Sequence, residues 1–205
     1  MRREYEVDGI TEDAFGPDPF TQFNQWLQVA IEAQLDEPNA MVVSTVDREG
    51  QPWGRFVLLK GASTAGFDFY TNFESNKSVQ LAATPRASLC FGWLALSRQV
   101  TVAGSVTKVP ENESDAYWAL RPRGSQLGGW TSDQSRPVSS RQELLDRYVA
   151  MDAAYPADVP RPSHWGGWRV VPHTIEFWQG RSNRLHDRLR YRLIEGAWTL
   201  SRLAP

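Results

Sequence analysis

Residues 175–188, IEFWQGRSNRLHDR, gather aromatic rings, three arginines, a histidine and a carboxylate into one β-like segment and the turn after it. Such a set suits a flat, anionic ligand. Ile175, Phe177 and the upstream Val170 and Val171 predict a strand, residues 180–183 a turn, and Leu185, Leu189, Tyr191 and Leu193 a second strand of period two. In a regular second strand Arg184, His186, Arg188, Arg190 and Arg192 share one face. Like charges so arranged repel unless an anion or carboxylates lie against them, although a solvated arginine face is the simpler reading of this run alone.

Three further groups carry the same chemistry. Arg55 and Lys60, five residues apart in RFVLLK, fall on opposite faces of a regular strand and ~17 Å apart at the standard rise. One phosphate cannot easily reach both, whereas two anions or one long ligand could; cations guarding a sheet edge are an equal alternative. Tyr117, Arg121 and Ser125 recur every four residues in AYWALRPRGSQ, with Tyr117 and Arg121 on one helical face and Ser125 in the turn past Pro122. A guanidinium fork, a phenol and a hydroxyl suit a phosphate monoester, but the dipole at that helix C-terminus opposes an anion. Ser75-Asn76-Lys77 opens a helix and offers backbone N–H groups plus an ammonium, or simply an N-cap. Tyr70-Thr71 and Gln134-Ser135 add donors that could read a heterocycle edge.

The elements that must hold these groups are mostly β. Asp18 and Pro19 start a helix with Phe20, Phe23, Leu27, Ala30, Ile31 and Leu35 at helical spacing, ended by Pro38. Residues 40–46 and 53–59 form a hairpin, 67–71 a third strand, 75–83 a short helix, and 87–93 and 99–109 two more strands. Helices are predicted over 110–120 and from Ser139 or Ser140 to about Ala154. Five or six antiparallel strands without a βαβ rhythm predict a mainly β (α+β) antiparallel barrel with peripheral helices.

The chain of 205 residues is expected to be one domain. A net charge of −2 gives no reason to expect nucleic acid or an anionic membrane as partner. No apolar run reaches the ~18 residues of a membrane span, and the N-terminus has no signal-peptide core, so a cytoplasmic protein is expected. Cys90, the sole cysteine, lies in an apolar run and reads as a buried, inert thiol. His164 and His173 read as structural or exposed, and no metal site is expected. GxGxxG, GxxxxGK[ST] and GxSxG are all missing.

Together, EFW at 176–178, RLHDR at 184–188, RVVP, RPRGSQ and the terminal SRLAP resemble the pyridoxine (pyridoxamine) 5′-phosphate oxidase family along the chain from Arg2 to Pro205. The resemblance implies an FMN-binding split β-barrel, usually a homodimer with flavin at the interface. It implies FMN contacts from Arg55, Phe56, Val57, Leu58, Leu59, Lys60, Tyr70, Thr71, Asn76, Lys77 and Gln99 of one subunit, and from Gln134, Ser135, Trp178 and Arg188 of the other. Lys60, Tyr117, Arg121 and Ser125 would hold the substrate phosphate, and Arg184, Leu185 and His186 would face the pyridine ring, with Arg184 and His186 in catalytic roles. Arg2, Arg3, Glu4 and Tyr5 look like the family segment that can fold over the site. The implied activity is oxidation of pyridoxamine or pyridoxine 5′-phosphate by O2; a related flavin oxidase of phenazine biosynthesis and a non-catalytic flavin- or B6-phosphate-binding module are the alternatives. Asn76 departs from the arginine common in the family at that position, which should weaken the FMN phosphate site.

Overall fold

In the computed structural model, residues 9–205 are described, and the expectations for Arg2, Arg3, Glu4 and Tyr5 lie outside them. Among the described residues nine strands pair antiparallel throughout, more than the five or six expected. They are β1 (Ala40–Val46), β2 (Pro52–Leu58), β3 (Gly61–Ser63), β4 (Gly66–Asn72), β5 (Arg86–Trp93), β6 (Arg98–Lys108), β7 (Trp165–Gln179), β8 (Asp187–Ile194) and β9 (Ala197–Arg202). Five helices accompany them: α1 (Pro19–Glu32), α2 (Asn76–Ala83), α3 (Glu111–Ala119), α4 (Arg123–Thr131) and α5 (Arg141–Ala154). Among the described residues no helix is long and apolar enough to cross a membrane.

The strand order β2-β1-β5-β6-β7-β4-β3 makes β7 the axis of the sheet. β6 runs along one side of it, while the other side pairs first with β4, from Trp165 to Val170, and then with β8, from Thr174 to Gln179. The change of partner coincides with a bulge: Ala103 pairs with Thr174 but Gly104 with Pro172, so His173 is the extra residue. A Cβ on Gly104 would lie 2.1 Å from the Val171 carbonyl oxygen, so the two backbones can approach this closely only at glycine.

Alternation decides which face is buried. Met41, Val43 and Thr45 of β1, Leu89 and Phe91 of β5, Val100 and Val102 of β6, Ile175 and Phe177 of β7, and Leu189 and Tyr191 of β8 turn inward. Onto them α1 lays Phe20, Phe23, Trp26 and Ala30; Phe23 meets Phe91 at 4.8 Å and Trp26 meets Phe177 at 5.1 Å between ring centres. The α1 start is as expected, with the Asp18 carboxylate accepting from the Phe20 and Thr21 amides. A smaller core of Trp118, Leu127, Val159 and Trp165 packs α3, α4 and α5 against the opening of β7.

Four expectations are corrected. The segment after Pro122 is α4, not a turn. Residues 184–186 precede β8, because Asn183 and Arg184 adopt φ of +56° and +60° and break the extended chain; the five-membered face therefore shrinks to Arg188, Arg190 and Arg192. Leu185 consequently lies outside the core, and Leu193, near the end of β8, is exposed as well. Cys90 is only half-buried, since its neighbours Leu89 and Phe91 take the inward face; its surroundings push the thiol pKa up.

Candidate functional site

Two polar cradles share the strand β4, whose adjacent residues Tyr70 and Thr71 project to opposite sides. In the first cradle, the Lys77 ammonium donates to Thr71 Oγ1 at 3.1 Å and Gln134 Oε1 at 2.8 Å, and the Asn76 amide donates to Ser135 Oγ at 3.2 Å. Ser75 occupies the N-cap of α2 but does not cap it: its hydroxyl turns to the Asn72 carbonyl, and in the first turn the Asn76 amide meets Ser135 Oγ instead. Such a helix start favours an anion. Arg55 stands behind, held by Thr45 Oγ1 and by Gln80 Oε1 at 3.2 Å. Burial, and then the neighbouring Arg55 charge, pulls the Lys77 pKa down to about 8.

Gln134 and Ser135 thus hydrogen-bond Thr71, Lys77 and the Asn76 amide of their own chain, whereas the resemblance had them meet FMN from the other subunit. The loop after α4 brings them there, a placement that could not be read without α4.

The second cradle lies on the other side of Tyr70. Tyr70 stacks on Tyr117 at 4.1 Å and on Trp165 at 5.5 Å, with interplanar angles of 17° and 14°. The Arg121 guanidinium lies 4.5 Å over the Trp165 ring and donates to the Ser125 carbonyl at 2.8 Å. Lys60 Nζ stands 6.0 Å from the Tyr117 ring centre. Tyr70, Arg121, Ser125, Gly128 and Trp165 line a cleft of about 330 Å³ that reaches Thr71 and Gln134 of the first cradle. The opposing dipole of α3, which ends at Ala119, is offset here, because α4 begins at Arg123 and presents its N-terminal, positive end beside Arg121 and Ser125.

β2 explains how Arg55 and Lys60 part company. Arg55 pairs with Val43 and turns inward, whereas β2 ends at Leu58 and the Lys60 amide bonds the Asp68 carbonyl at 2.8 Å, so Lys60 starts a new alignment beside β4. Of the residues between, Leu59 is buried, Val57 and Leu58 half-buried and Phe56 largely exposed. Neither equality of faces nor a single long ligand is required.

A third group lies on the outer face of the sheet. Register sets Gln99 of β6, Trp178 of β7 and Arg188 of β8 side by side, and the next rung sets Thr101, Glu176 and Arg190. Arg188 is ion-paired to Glu176 at 2.8 Å, a partner not foreseen for it. The Trp178 ring meets His186 at 4.7 Å, so the 180–186 connection folds back over this ladder. The Arg181 amide donates to His186 Nδ1 at 3.0 Å. Arg184 and Leu185 are exposed beside it.

The cations differ in whether a carboxylate offsets them. Arg123, Arg147, Arg161, Arg169, Arg188 and Arg202 each hold a carboxylate, whereas among the described residues Arg55, Lys60, Lys77 and Arg121 have none within ion-pair distance. Arg55, Lys77 and Arg121 are partly buried and meet only neutral acceptors, an arrangement that an incoming anion would stabilise. Thr45, Gln80, Glu176 and Trp165 were missed by sequence reasoning. Thr45 carried a signal as a hydroxyl on an inward β position, Trp165 as one of nine tryptophans and Glu176 as part of the EFW motif, while Gln80 carried none.

The family model described as pyridoxamine 5′-phosphate oxidase matches residues 27–153, well over half of the chain. The chain belongs to the pyridoxamine 5′-phosphate oxidase family. A second model, the C-terminal dimerisation region of pyridoxine 5′-phosphate oxidase, matches residues 165–205, which are β7, β8 and β9. The pyridoxine/pyridoxamine 5′-phosphate oxidase of Synechocystis sp. is 55% identical over 206 residues, covering 100% of this chain and 96% of that protein. Among solved structures, PhzG from Burkholderia lata 383, in complex with tetrahydrophenazine-1-carboxylic acid, superposes with a TM-score of 0.92 at 29% identity, covering 98% of this chain and 100% of its own. A pyridoxamine 5′-phosphate oxidase-related, FMN-binding protein from Nostoc punctiforme shares the fold with a TM-score of 0.75 at 16% identity, over 93% of this chain and 100% of its own. Membership in the pyridoxamine 5′-phosphate oxidase family agrees with the antiparallel split-barrel expectation. It also gives the outer ladder a context, since Trp178 and Arg188 fall within the matched dimerisation region.

Proposed function

We propose that this single-domain chain is a cytoplasmic, homodimeric FMN enzyme that oxidises pyridoxamine or pyridoxine 5′-phosphate to pyridoxal 5′-phosphate. Oxygen accepts the two electrons and leaves as hydrogen peroxide; the amine substrate also consumes water and releases ammonia. The observation that carries this reading is the pair of uncompensated cationic cradles on either side of Tyr70-Thr71, one for each phosphorylated ligand.

FMN fits the first cradle on the chemistry of its donors: the Lys77 ammonium, the Arg55 guanidinium, Thr71, Gln134, Ser135 and the uncapped start of α2 form a set made for a phosphate. The family resemblance adds Asn76, Tyr70, residues 56–60 and Gln99 from the same subunit, and Trp178 and Arg188 from the outer ladder of a second subunit. When bound, FMN supplies the two-electron acceptor. Asn76 is exposed, so an added side chain there meets no packing penalty. Asn76→Arg is expected to tighten FMN binding by roughly 1.5 kcal/mol, about tenfold in Kd; an unchanged constant in a flavin-fluorescence titration would remove position 76 from the phosphate site.

The second cradle holds the substrate phosphate: Arg121 by its fork, Lys60 by its charge, Tyr117 and Ser125 by their hydroxyls. The chain then orients the ring. Because His186 Nδ1 accepts the Arg181 amide, the neutral imidazole keeps its proton on Nε2 and acts there as a hydrogen-bond donor. Its role is to position and polarise the ring, and that of Arg184 is the same. Arg184→Ala is expected to lower kcat by about 10²-fold, the scale of one lost polarising donor, while FMN affinity stays within twofold; undiminished turnover would refute the role.

The likeness to PhzG keeps a phenazine oxidase as the rival. Two cradles favour a phosphorylated substrate over a carboxylated tricycle. The test is the absorption spectrum of the purified protein, followed by anaerobic addition of pyridoxamine 5′-phosphate. Bleaching of the flavin bands, and steady peroxide release in air, are expected; a flavin that stays oxidised would leave only a binding module.

A further inference from the structure

Trp165, the first residue of β7, belongs to none of the groups that the family resemblance assigned to ligands. It is 4% exposed, yet it lines the cleft between the two cradles. Its ring is the floor of a near-parallel stack, inclined 14° to Tyr70 and 5° to Tyr117. Trp118 closes the corner edge-on at 4.7 Å and 68°. The Arg121 guanidinium sits in that corner, 4.5 Å from the Trp165 ring centre and 5.1 Å from that of Trp118. Its hydrogen bond to the Ser125 carbonyl fixes one end of the fork. The backbone of Trp165 is itself pinned, its carbonyl accepting from Arg161, which also binds Glu111 and Asp115 of α3.

We propose that Trp165 is a positioning residue for substrate recognition, its indole face presetting the Arg121 guanidinium so that the free edge of the fork meets the incoming phosphate. Arginine is a flexible side chain whose ordering opposes binding unless it is done in advance. The two indole faces do so electrostatically, and they exclude any carboxylate that would otherwise neutralise the charge. Burial lowers the Arg121 pKa from its ordinary value, which agrees with a cation desolvated before its ligand arrives. The inference rests on the reading of Arg121 as a ligand of the substrate phosphate.

The test is a double-mutant cycle on the FMN-loaded enzyme, read as KM and kcat for pyridoxamine 5′-phosphate. Trp165→Leu is expected to raise KM roughly tenfold, the scale of a desolvated cation–π contact, with kcat within about twofold. Arg121→Ala should raise KM at least as much, and the double variant no further than Arg121→Ala alone. Trp165→Phe, which keeps an aromatic face and the small core, should give a smaller rise in KM. A general packing role would instead lower kcat and the melting temperature along with substrate affinity in both Trp165 variants. Additive KM effects, or wild-type KM in Trp165→Phe together with wild-type KM in Trp165→Leu, would overturn the inference while leaving the cradle intact; should Trp165→Leu not fold, the same cycle with Trp165→Phe decides. If Arg121→Ala itself leaves KM unmoved, the phosphate cradle is misassigned and the inference falls with it.

Discussion

Lys77→Met is expected to weaken FMN binding by about 1.5–3 kcal/mol, roughly 10- to 150-fold in Kd, because it removes the one ammonium in the cofactor cradle while keeping the length of the side chain. The same change should hold or raise the melting temperature of the flavin-free protein. Lys77 is a partly buried cation beside Arg55 with only neutral acceptors, so its charge opposes folding until an anion arrives. Acidity separates the two effects. With the folded pKa near 8 and the ordinary lysine value of 10.5, the unfolded chain holds more protons between those limits, so flavin-free stability rises with pH through that window. FMN affinity runs the other way. The cradle must be protonated to hold the phosphate, so affinity should fall by up to about tenfold per pH unit above 8 in the wild type and far less in Lys77→Met. Fluorescence titrations between about pH 7 and pH 10 check both slopes; parallel curves for the two proteins would show that Lys77 is not the group concerned.

The largest loss of stability is expected from Arg169→Met. Arg169 grips Asp68 with two 2.7 Å bonds and Glu113 with a third of 2.7 Å, joining β7 to β4 and to α3. Asp68 keeps only 14% of its side chain exposed and directly faces Arg169 in the strand register. Without the guanidinium its carboxylate stays desolvated and alone, at a cost of about 3 kcal/mol, or roughly 6–12 °C in Tm for a chain of this size. Arg169→Met combined with Asp68→Leu should recover much of that, since the penalty belongs to the orphaned charge and not to the missing pair. A thermal melt of the two variants decides; equal losses in both would place the effect in packing. Because Glu113 lies on the helix that carries Tyr117, the single variant should also raise KM for the phosphorylated substrate.

Local rules made much of this molecule legible. Asp18, Pro19 and the apolar spacing behind them define α1 because capping and periodicity are short-range properties, and the alternation of Met41, Val43 and Thr45 announces a one-sided strand for the same reason. Ser140 caps α5 within the expected range, accepting from the Glu143 amide. α4 escaped because its own residues argue against it: Gly124, Gly128 and Gly129 lower its helix propensity. What sustains it is tertiary, with Leu127 buried in the small core and Gly129 so close to Trp118 that a Cβ would lie 2.7 Å from the indole. Missing α4 left the opposing dipole at Arg121 without its offset, and Gln134 and Ser135 without a place. Residues 184–186 escaped differently: their alternation is that of a strand, and only the left-handed turn at Asn183 and Arg184 takes them out of it.

The sequence by itself determined the residue types of both cradles, the antiparallel class of the fold and the helix and strand starts, because these follow from chemistry and from contacts a few residues apart. Only the tertiary structure decided which cations stay uncompensated, which chain segment presents Gln134 to Lys77, and that an indole from β7 lies beneath Arg121. Those are long-range facts. They depend on the partner change along β7 and the bulge at Gly104, where packing between distant segments, and not any local preference, sets which side chains meet.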